Sequence, residues 1–432
     1  MRVKKILICV IMSLILILFE IPTSVYAAES NDINIDIGSS SCILIESKTG
    51  RILYEKDAYS KYYPASTTKI MTALLTLENV SDLKEVATVS YNSVFTVPSG
   101  YSTDLLKVGE ELTIEDLLYA LLVKSSNEAA NVLAEHISGN VESFATMMNT
   151  RAVELGCKNT HFVNPNGIHN ENHYTTSYDL SLITKEAMKN ETFRKIVSTA
   201  SYTLPSTNKY DRIDRNLITT NDIIRKSSKY YYEYAIGIKT GYTTPAKNCL
   251  VAGANKDGVE LILVLLHADK LNSNRESVRD IDAKNLFEYV YNNFSEKTIV
   301  DANGAVDTIK VKNATSKTKN LRLLAENKIE ALVTNDKLKT AETPEIVLNE
   351  NIKAPIKQGD ILGTIKYNID GIAYETNLIA ANDVEKSYTA VIIIIILIIL
   401  VLFYLYSKNN KKKINRRRKR RKNYSNNKYY RY

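Results

Sequence analysis

The stretch Tyr63-Pro64-Ala65-Ser66-Thr67-Thr68-Lys69-Ile70-Met71-Thr72-Ala73-Leu74-Leu75 puts a serine at the mouth of a predicted helix and a lysine one turn later. Apolar residues Ile70, Leu74 and Leu77 repeat at helical spacing, with Met71 and Leu75 beside them. The chain is expected to reach Pro64 and Ala65 as an extended loop and to turn helical from Ser66. Ser66 and Lys69 are then i and i+3, neighbours on one face. A helix's amino end brings free N–H groups and partial positive charge to the serine oxygen. A serine hydroxyl is a weak nucleophile until a base takes its proton, and a desolvated lysine can be that base. The plainer alternative is that Ser66 only caps the helix; this four-residue pattern alone does not choose.

Working outward, both ends of the chain are specialised. Arg2, Lys4 and Lys5 lead an apolar run from Ile6 to Phe19, followed by Val25-Tyr26-Ala27. This is the pattern of a secretory signal peptide cleaved after Ala27, so residues 1–27 are set aside. At the other end, Thr389 to Tyr406 carries no charge, about the length that crosses a hydrocarbon core. Residues 387–407 are expected to span a membrane. Residues 408–432 hold thirteen Lys/Arg and no acid. The excess of positive charge puts this tail in the cytoplasm and the preceding chain outside. Anionic lipid head groups are its expected partner, rather than nucleic acid. The signal carries a net +2, so the +8 of the whole chain leaves residues 28–407 at −7. The working part is mildly acidic. Its cysteines, Cys42, Cys157 and Cys249, are odd in number and lack metal-type spacing, so they read as buried free thiols.

Residues 28–40 read as a disordered lead-in. Ser41–Glu46 and Arg51–Tyr54 read as a hairpin turning at Ser47-Lys48-Thr49-Gly50. After a polar strand-and-loop region, Thr113-x-x-Asp116 opens a helix that Lys124-Ser125-Ser126-Asn127 interrupts, and Thr176-x-x-Asp179 opens another. Ile236–Lys239, Cys249–Ala254 and Val259–His267 read as strands, the last two joined by Asp257-Gly258, a type I′ hairpin signal. Residues 275–294 read as a long helix. The early hairpin and the late strands are expected to meet in one antiparallel sheet of about five strands, with the helical middle on one face, an α+β arrangement. Residues 296–386 change to short strands and read as a separate small β domain.

Three triplets line up at breaks between these elements: Ser66-x-x-Lys69, Ser125-x-Asn127 and Lys239-Thr240-Gly241. A trio of this kind marks β-lactamases and penicillin-binding proteins. A second Lys-Thr-Gly, at Lys48, precedes Ser66 and belongs to the hairpin turn. With Pro64–Lys69, Phe162-Val163-Asn164-Pro165-Asn166-Gly167 and Gly237-Ile238-Lys239-Thr240-Gly241-Tyr242-Thr243, the sequence resembles the D-alanyl-D-alanine carboxypeptidases among the low-molecular-mass penicillin-binding proteins, peptidase family S11. The likeness covers roughly residues 40–295. A weaker one, on Ala354-Pro355-Ile356 with Gly359 and on Asn377–Ala380, covers the family's β-rich C-terminal domain.

The resemblance implies a β-lactamase/transpeptidase-like domain over residues 28–295 and a substrate that is a peptidoglycan stem peptide ending in D-Ala–D-Ala, with β-lactams as covalent inhibitors. It implies that Ser66 is the nucleophile, Lys69 the general base, Ser125 a proton relay and Asn127 a positioning group. Lys239 and Thr240 would hold the substrate carboxylate, Gly241 would let the substrate lie along the strand, and the Ser66 and Tyr242 N–H groups would form the oxyanion hole. The two lysines are expected to lower each other's pKa. No metal or cofactor is expected. Ala246-Lys247 departs from the family's usual Ala-Gly, which bears on loop geometry.

Rival readings have distinct signatures. The five histidines lack zinc-peptidase spacing, and His169 and His173 read as loop residues. A class A β-lactamase needs a deacylating glutamate, and no Glu-x-x-Leu-Asn segment lies between Asn127 and Lys239. A DD-endopeptidase acting on crosslinks and a membrane-anchored penicillin-binding sensor with little turnover are the remaining alternatives to a carboxypeptidase.

Overall fold

The first strand of the computed structural model, β1 (Ser41–Glu46), is buried along its whole length, as a strand covered on both faces must be. The structure describes residues 35–103, 106–211, 215–335 and 343–426, so the expected signal peptide lies outside the described residues. The chain divides into two compact units. One is Met1–Glu296 with Leu332–Leu338 and Asp370–Ile372; the other is Lys297–Ala331, Lys339–Ile369 and Ala373–Tyr432.

In the first unit, β1 turns into β2 (Ile52–Lys56), and three later strands follow: β3 (Ala235–Thr243), β4 (Lys247–Lys256) and β5 (Val259–Ala268). They pair in the order β2-β1-β5-β4-β3, all antiparallel. Ile43 faces Val264 and Lys239 faces Val251 across this sheet. The expected five-stranded sheet built from both ends of the domain is present, and β3 forms one edge. Asp257 and Gly258 take φ of 53° and 90°, the pair of positive values that a type I′ turn requires.

Strand residues point alternately to opposite faces, and the burial follows. Ile43, Ile45, Val251, Ile262 and Val264 pack with the helical middle, including Ile70, Leu74, Leu117, Leu121 and Leu133. Cys42, Leu44, Leu250, Leu263 and Leu265 pack on the other side with Leu286, Phe287 and Val290. The helices that carry this packing are α1 (Lys69–Asn79), α2 (Asn127–Ser138) and α3 (Ser177–Ala187) on the first face and α4 (Val278–Asn293) on the second. Thr113 and Thr176 cap their helices, each accepting from the N–H of the aspartate three residues on. Cys42, Cys157 and Cys249 are buried and free.

Some local expectations are corrected. The lead-in is not loose where it is described: Ile37 is buried, and the N–H groups of Gly38 and Ser39 donate to the Asp282 carboxylate at 3.2 and 2.8 Å. That acid lies about 240 residues downstream, beyond the reach of any local pattern. The helix expected from Ser66 begins instead as a 3₁₀ turn, Ala65–Thr68, and becomes α-helical only at Lys69. Ala65 is not extended; its φ is +48°. Proline restricts the residue before it, Tyr63, and leaves the residue after it free.

In the second unit, β6 (Ala305–Lys310), β7 (Asn320–Ala325), β8 (Glu345–Leu348), β9 (Ile361–Ile369) and β10 (Ile372–Ala380) form a sheet ordered β6-β7-β10-β9-β8. Leu321, Leu323, Ile365 and Leu378 are its buried centre. The short strands expected here are present and are joined by others. The chain continues into α5 (Thr389–Asn426), a helix long and apolar enough to cross a membrane, as a membrane anchor would be. The basic residues after Tyr406 extend this helix through Asn426.

Leu263 is fully buried at the centre of β5. Leu263→Ala is expected to lower unfolding stability by about 2–5 kcal/mol, read by denaturant titration. A loss below about 1 kcal/mol would contradict this packing.

Candidate active site

Ser66 lies in the 3₁₀ turn, half-buried, with Ala65, Thr67 and Thr68 buried around it. Neither this turn nor α1 has a side-chain cap, so Ser66 is not an N-cap. The turn is held by its neighbours instead. The Thr67 N–H and hydroxyl donate to the Pro64 carbonyl at 3.2 and 2.7 Å, and the Thr68 hydroxyl donates to the Ala65 carbonyl at 2.8 Å. A Cβ on Gly167, whose φ is +82°, would lie 1.9 Å from the Ala65 oxygen, so only glycine fits there.

Lys69 is fully buried, and its Nζ has three oxygen neighbours: Ser66 Oγ at 3.0 Å, Asn127 Oδ1 at 2.7 Å and the Asn166 carbonyl at 2.6 Å. Burial lowers its pKa well below the ordinary 10.5, and the charge of Lys239 lowers it further. A neutral amine has two N–H donors and one lone pair. Both carbonyl oxygens can only accept, so they take the two donors, and the lone pair is left facing the Ser66 hydroxyl. Asn127 is oriented in turn by its Nδ2, which donates to the Ser102 carbonyl at 2.8 Å.

The break that supplies Asn127 is a π-helical turn, Ala120–Lys124, ending in Ser125 with φ of +70°. Ser126 then caps α2, accepting from the Ala129 N–H at 3.2 Å. Ser125 is thus carried next to Asn127, but it makes no hydrogen bond to Ser66, Lys69 or Lys239 among the described residues.

Lys239-Thr240-Gly241-Tyr242 lies on edge strand β3. A Cβ on Gly241 would be 3.0 Å from the Ser66 nitrogen and 2.9 Å from the Pro64 carbonyl, so the strand and the serine turn are in close backbone contact. Tyr242 turns its side chain outward, 58% exposed. Lys239 is buried, and its Nζ donates to the Thr240 carbonyl at 2.9 Å. Its pKa is pushed down to about 7 by burial and then by Arg279. Burial lowers both amines; the Lys239 charge adds to the effect on Lys69, and the Arg279 charge adds to that on Lys239.

Arg279, in the first turn of α4, is a residue that motif reasoning missed; it is forty residues past the triplet and belongs to no short pattern. Thr220, whose hydroxyl lies 2.5 Å from that of Thr240, was equally invisible. Lys247 takes φ of +54° at the β3–β4 turn and pairs with Asp269 at 2.7 Å, so the departure from Ala-Gly is absorbed by a left-handed lysine facing outward. The other Lys-Thr-Gly remains in the β1–β2 turn, where the Gly50 N–H donates to the Glu46 carbonyl at 2.8 Å.

Residues 26–270 match the family described as D-alanyl-D-alanine carboxypeptidase, and residues 294–386 match the penicillin-binding protein 5 C-terminal domain. The D-alanyl-D-alanine carboxypeptidase DacF of Bacillus subtilis is 33% identical over 352 residues, covering 81% of this chain and 86% of that protein. A D-alanyl-D-alanine carboxypeptidase of Streptomyces sp. is 36% identical over 253 residues, covering 56% and 83%. Among solved structures, the Streptomyces K15 DD-transpeptidase superposes with a TM-score of 0.54 at 33% identity, covering 59% of this chain and 97% of that one. PBP3 of Streptococcus pneumoniae gives a TM-score of 0.68 over 81% of this chain and 100% of that one; at 24% identity this likeness concerns the fold alone. The chain belongs to peptidase family S11, the D-alanyl-D-alanine carboxypeptidase family.

Proposed function

We propose that this protein is a serine-type D-Ala–D-Ala carboxypeptidase that trims peptidoglycan stem peptides through an acyl-enzyme. The observation that carries the reading is the buried Lys69 amine held against Ser66 Oγ with its other two contacts on carbonyl oxygens. Ser66 Oγ attacks the carbonyl of the terminal peptide bond as Lys69 takes its proton. The N–H groups of Ser66 and Tyr242 receive the developing oxyanion, a contribution of about 3–4 kcal/mol per donor in other enzymes. The proton passes through Ser125 to the leaving nitrogen, the C–N bond breaks, and D-alanine departs. Water then attacks the ester with Lys69 again as base, releasing the shortened peptide and restoring the serine.

Lys239 and Thr240 hold the terminal carboxylate, with Arg279 as a permanent positive charge nearby. Gly241 gives the substrate room to add as a strand along the free edge of β3. The alternative of a DD-endopeptidase uses the same chemistry on a crosslinked dimer. For the C-terminus, we infer that Thr389–Tyr406 crosses the membrane once, with the basic tail on the cytoplasmic side against anionic lipid and the catalytic unit outside.

Residues 28–386 are expected to release D-alanine from a stem peptide ending in D-Ala–D-Ala and to take up penicillin covalently at Ser66, by mass spectrometry of the digested protein. Ser66→Ala should abolish both. Release from crosslinked dimers alone would instead establish the endopeptidase, and an adduct without turnover on either substrate the sensor.

The pH profile of kcat/KM should rise through the pKa of Lys69, which must be unprotonated to act, with this limb well below 10.5. It should fall as pH rises past about 7, where Lys239 loses the charge that holds the carboxylate. An acidic limb near 10.5 would rule out Lys69 as the base. For the membrane arrangement, Asn410→Cys in intact cells should react with an impermeant maleimide only after permeabilisation; labelling of unpermeabilised cells would reverse the topology.

A further inference from the structure

The loop from Val163 to His173 does more than approach the lysine. Three successive contacts fasten it along the start of α1. Thr72 Oγ1 donates to the Pro165 carbonyl at 2.5 Å, Lys69 Nζ meets the Asn166 carbonyl at 2.6 Å, and Thr68 Oγ1 lies 2.8 Å from His173 Nε2. His173 is only 2% exposed, with Phe162 edge-on to its ring at 5.5 Å. Reading it as a plain loop residue is therefore incomplete.

The hydrogen-bond network assigns its tautomer. The Val163 N–H donates to Nδ1 at 3.1 Å, so that nitrogen carries no proton. The proton is on Nε2, which donates to Thr68 Oγ1; the Thr68 hydroxyl then has its own proton free for the Ala65 carbonyl at 2.8 Å. Ala65 is the left-handed residue immediately before the nucleophile. A non-glycine residue in that region stores roughly 1 kcal/mol or more of strain and persists only where its surroundings over-determine it. The groups that meet its carbonyl are the Thr68 hydroxyl and the glycine cradle at Gly167.

We propose that His173 is a positioning residue for the acylation step: as a neutral donor it orients the Thr68 hydroxyl onto the Ala65 carbonyl and so holds Ser66 at the reach of Lys69. It touches no substrate and moves no proton. The inference rests on the assignment of Ser66 as nucleophile. The ring stays neutral over the working pH range, because burial, followed by the charges of His161, His169 and Lys69, pushes its pKa down to about 3. A protonated Nδ1 would have nothing to offer the Val163 N–H.

The test is stopped-flow acylation by a chromogenic penicillin, separating the noncovalent dissociation constant from the acylation rate constant, on full-length protein in detergent. His173→Phe and Thr68→Val are each expected to slow acylation, toward the roughly 10²-fold that an ångström of misplacement can cost. The dissociation constant should change less than threefold. The double variant should be no slower than the worse single one, because both break the same chain. His173→Gln, which keeps a donor near the Nε2 position, and Thr68→Ser, which keeps the hydroxyl, should recover most of the rate. Wild-type acylation rates in folded Thr68→Val overturn the proposal, as do additive losses in the double variant; Thr68→Val decides even if His173→Phe fails to fold. Wild-type protein that is never acylated at Ser66 overturns the function itself, a different outcome.

Discussion

A lysine amine with no access to water has to be satisfied by whatever the fold places around it, and the fold of the first unit is arranged to do this for Lys69. One oxygen comes from α2, one from the loop before α3, and the third is Ser66 Oγ on the 3₁₀ turn. None of these can move independently, since each is fixed by a further bond: Asn127 by Ser102, Asn166 by Asn131 at 2.9 Å, and the serine turn by Thr67 and Thr68. Desolvation disfavours the ammonium form, and the nearby Lys239 charge adds to that. The same burial that would be a liability for an ordinary lysine is what the proposed role of Lys69 as base requires.

The two faces of the sheet divide the labour. The face toward α1, α2 and α3 is a continuous apolar core that fixes the positions of the serine, the lysine and the asparagine. The opposite face is closed by α4, and α4 delivers Arg279 into the neighbourhood of Lys239. The Ser66–Lys69 pair and the Lys239–Arg279 charges thus come from different layers and lie about β3, an edge strand whose outer side is not paired within the sheet.

Much of this was readable in the chain. The apolar runs in Ser41–Glu46 and Val259–His267, the Asp257-Gly258 turn and the capping threonines all act over a few residues, and such signals survive folding because tertiary packing agrees with them. Two of the triplets sit where an element breaks, at the 3₁₀ turn and at the π-helical turn; the third was expected at a strand end and lies instead within β3, which runs on to Thr243. What escaped was decided at long range or by conformation without a side-chain signature. Asp282 orders Gly38 and Ser39 from the far end of the domain, and Arg279 reaches Lys239 from a helix with no motif. The left-handed Ala65 runs against its own propensity and is held by Gly167 and Thr68, which no local pattern connects to it. His173 looked like an ordinary polar loop residue because the contacts that bury it come from Val163 and Thr68.

The placement of β1 between β2 and β5 also sets the order of events at birth. Ile43 finds its partner Val264 about two hundred residues later. A chain delivered amino end first must therefore keep a strongly apolar hairpin waiting, its sticky flank unmatched, until almost the whole catalytic unit has emerged. Loop closure over such a span is slow, and the unmatched flank invites self-association in the interval. Nicking the chain in the helical middle before β5 arrives would leave the hairpin without its mate.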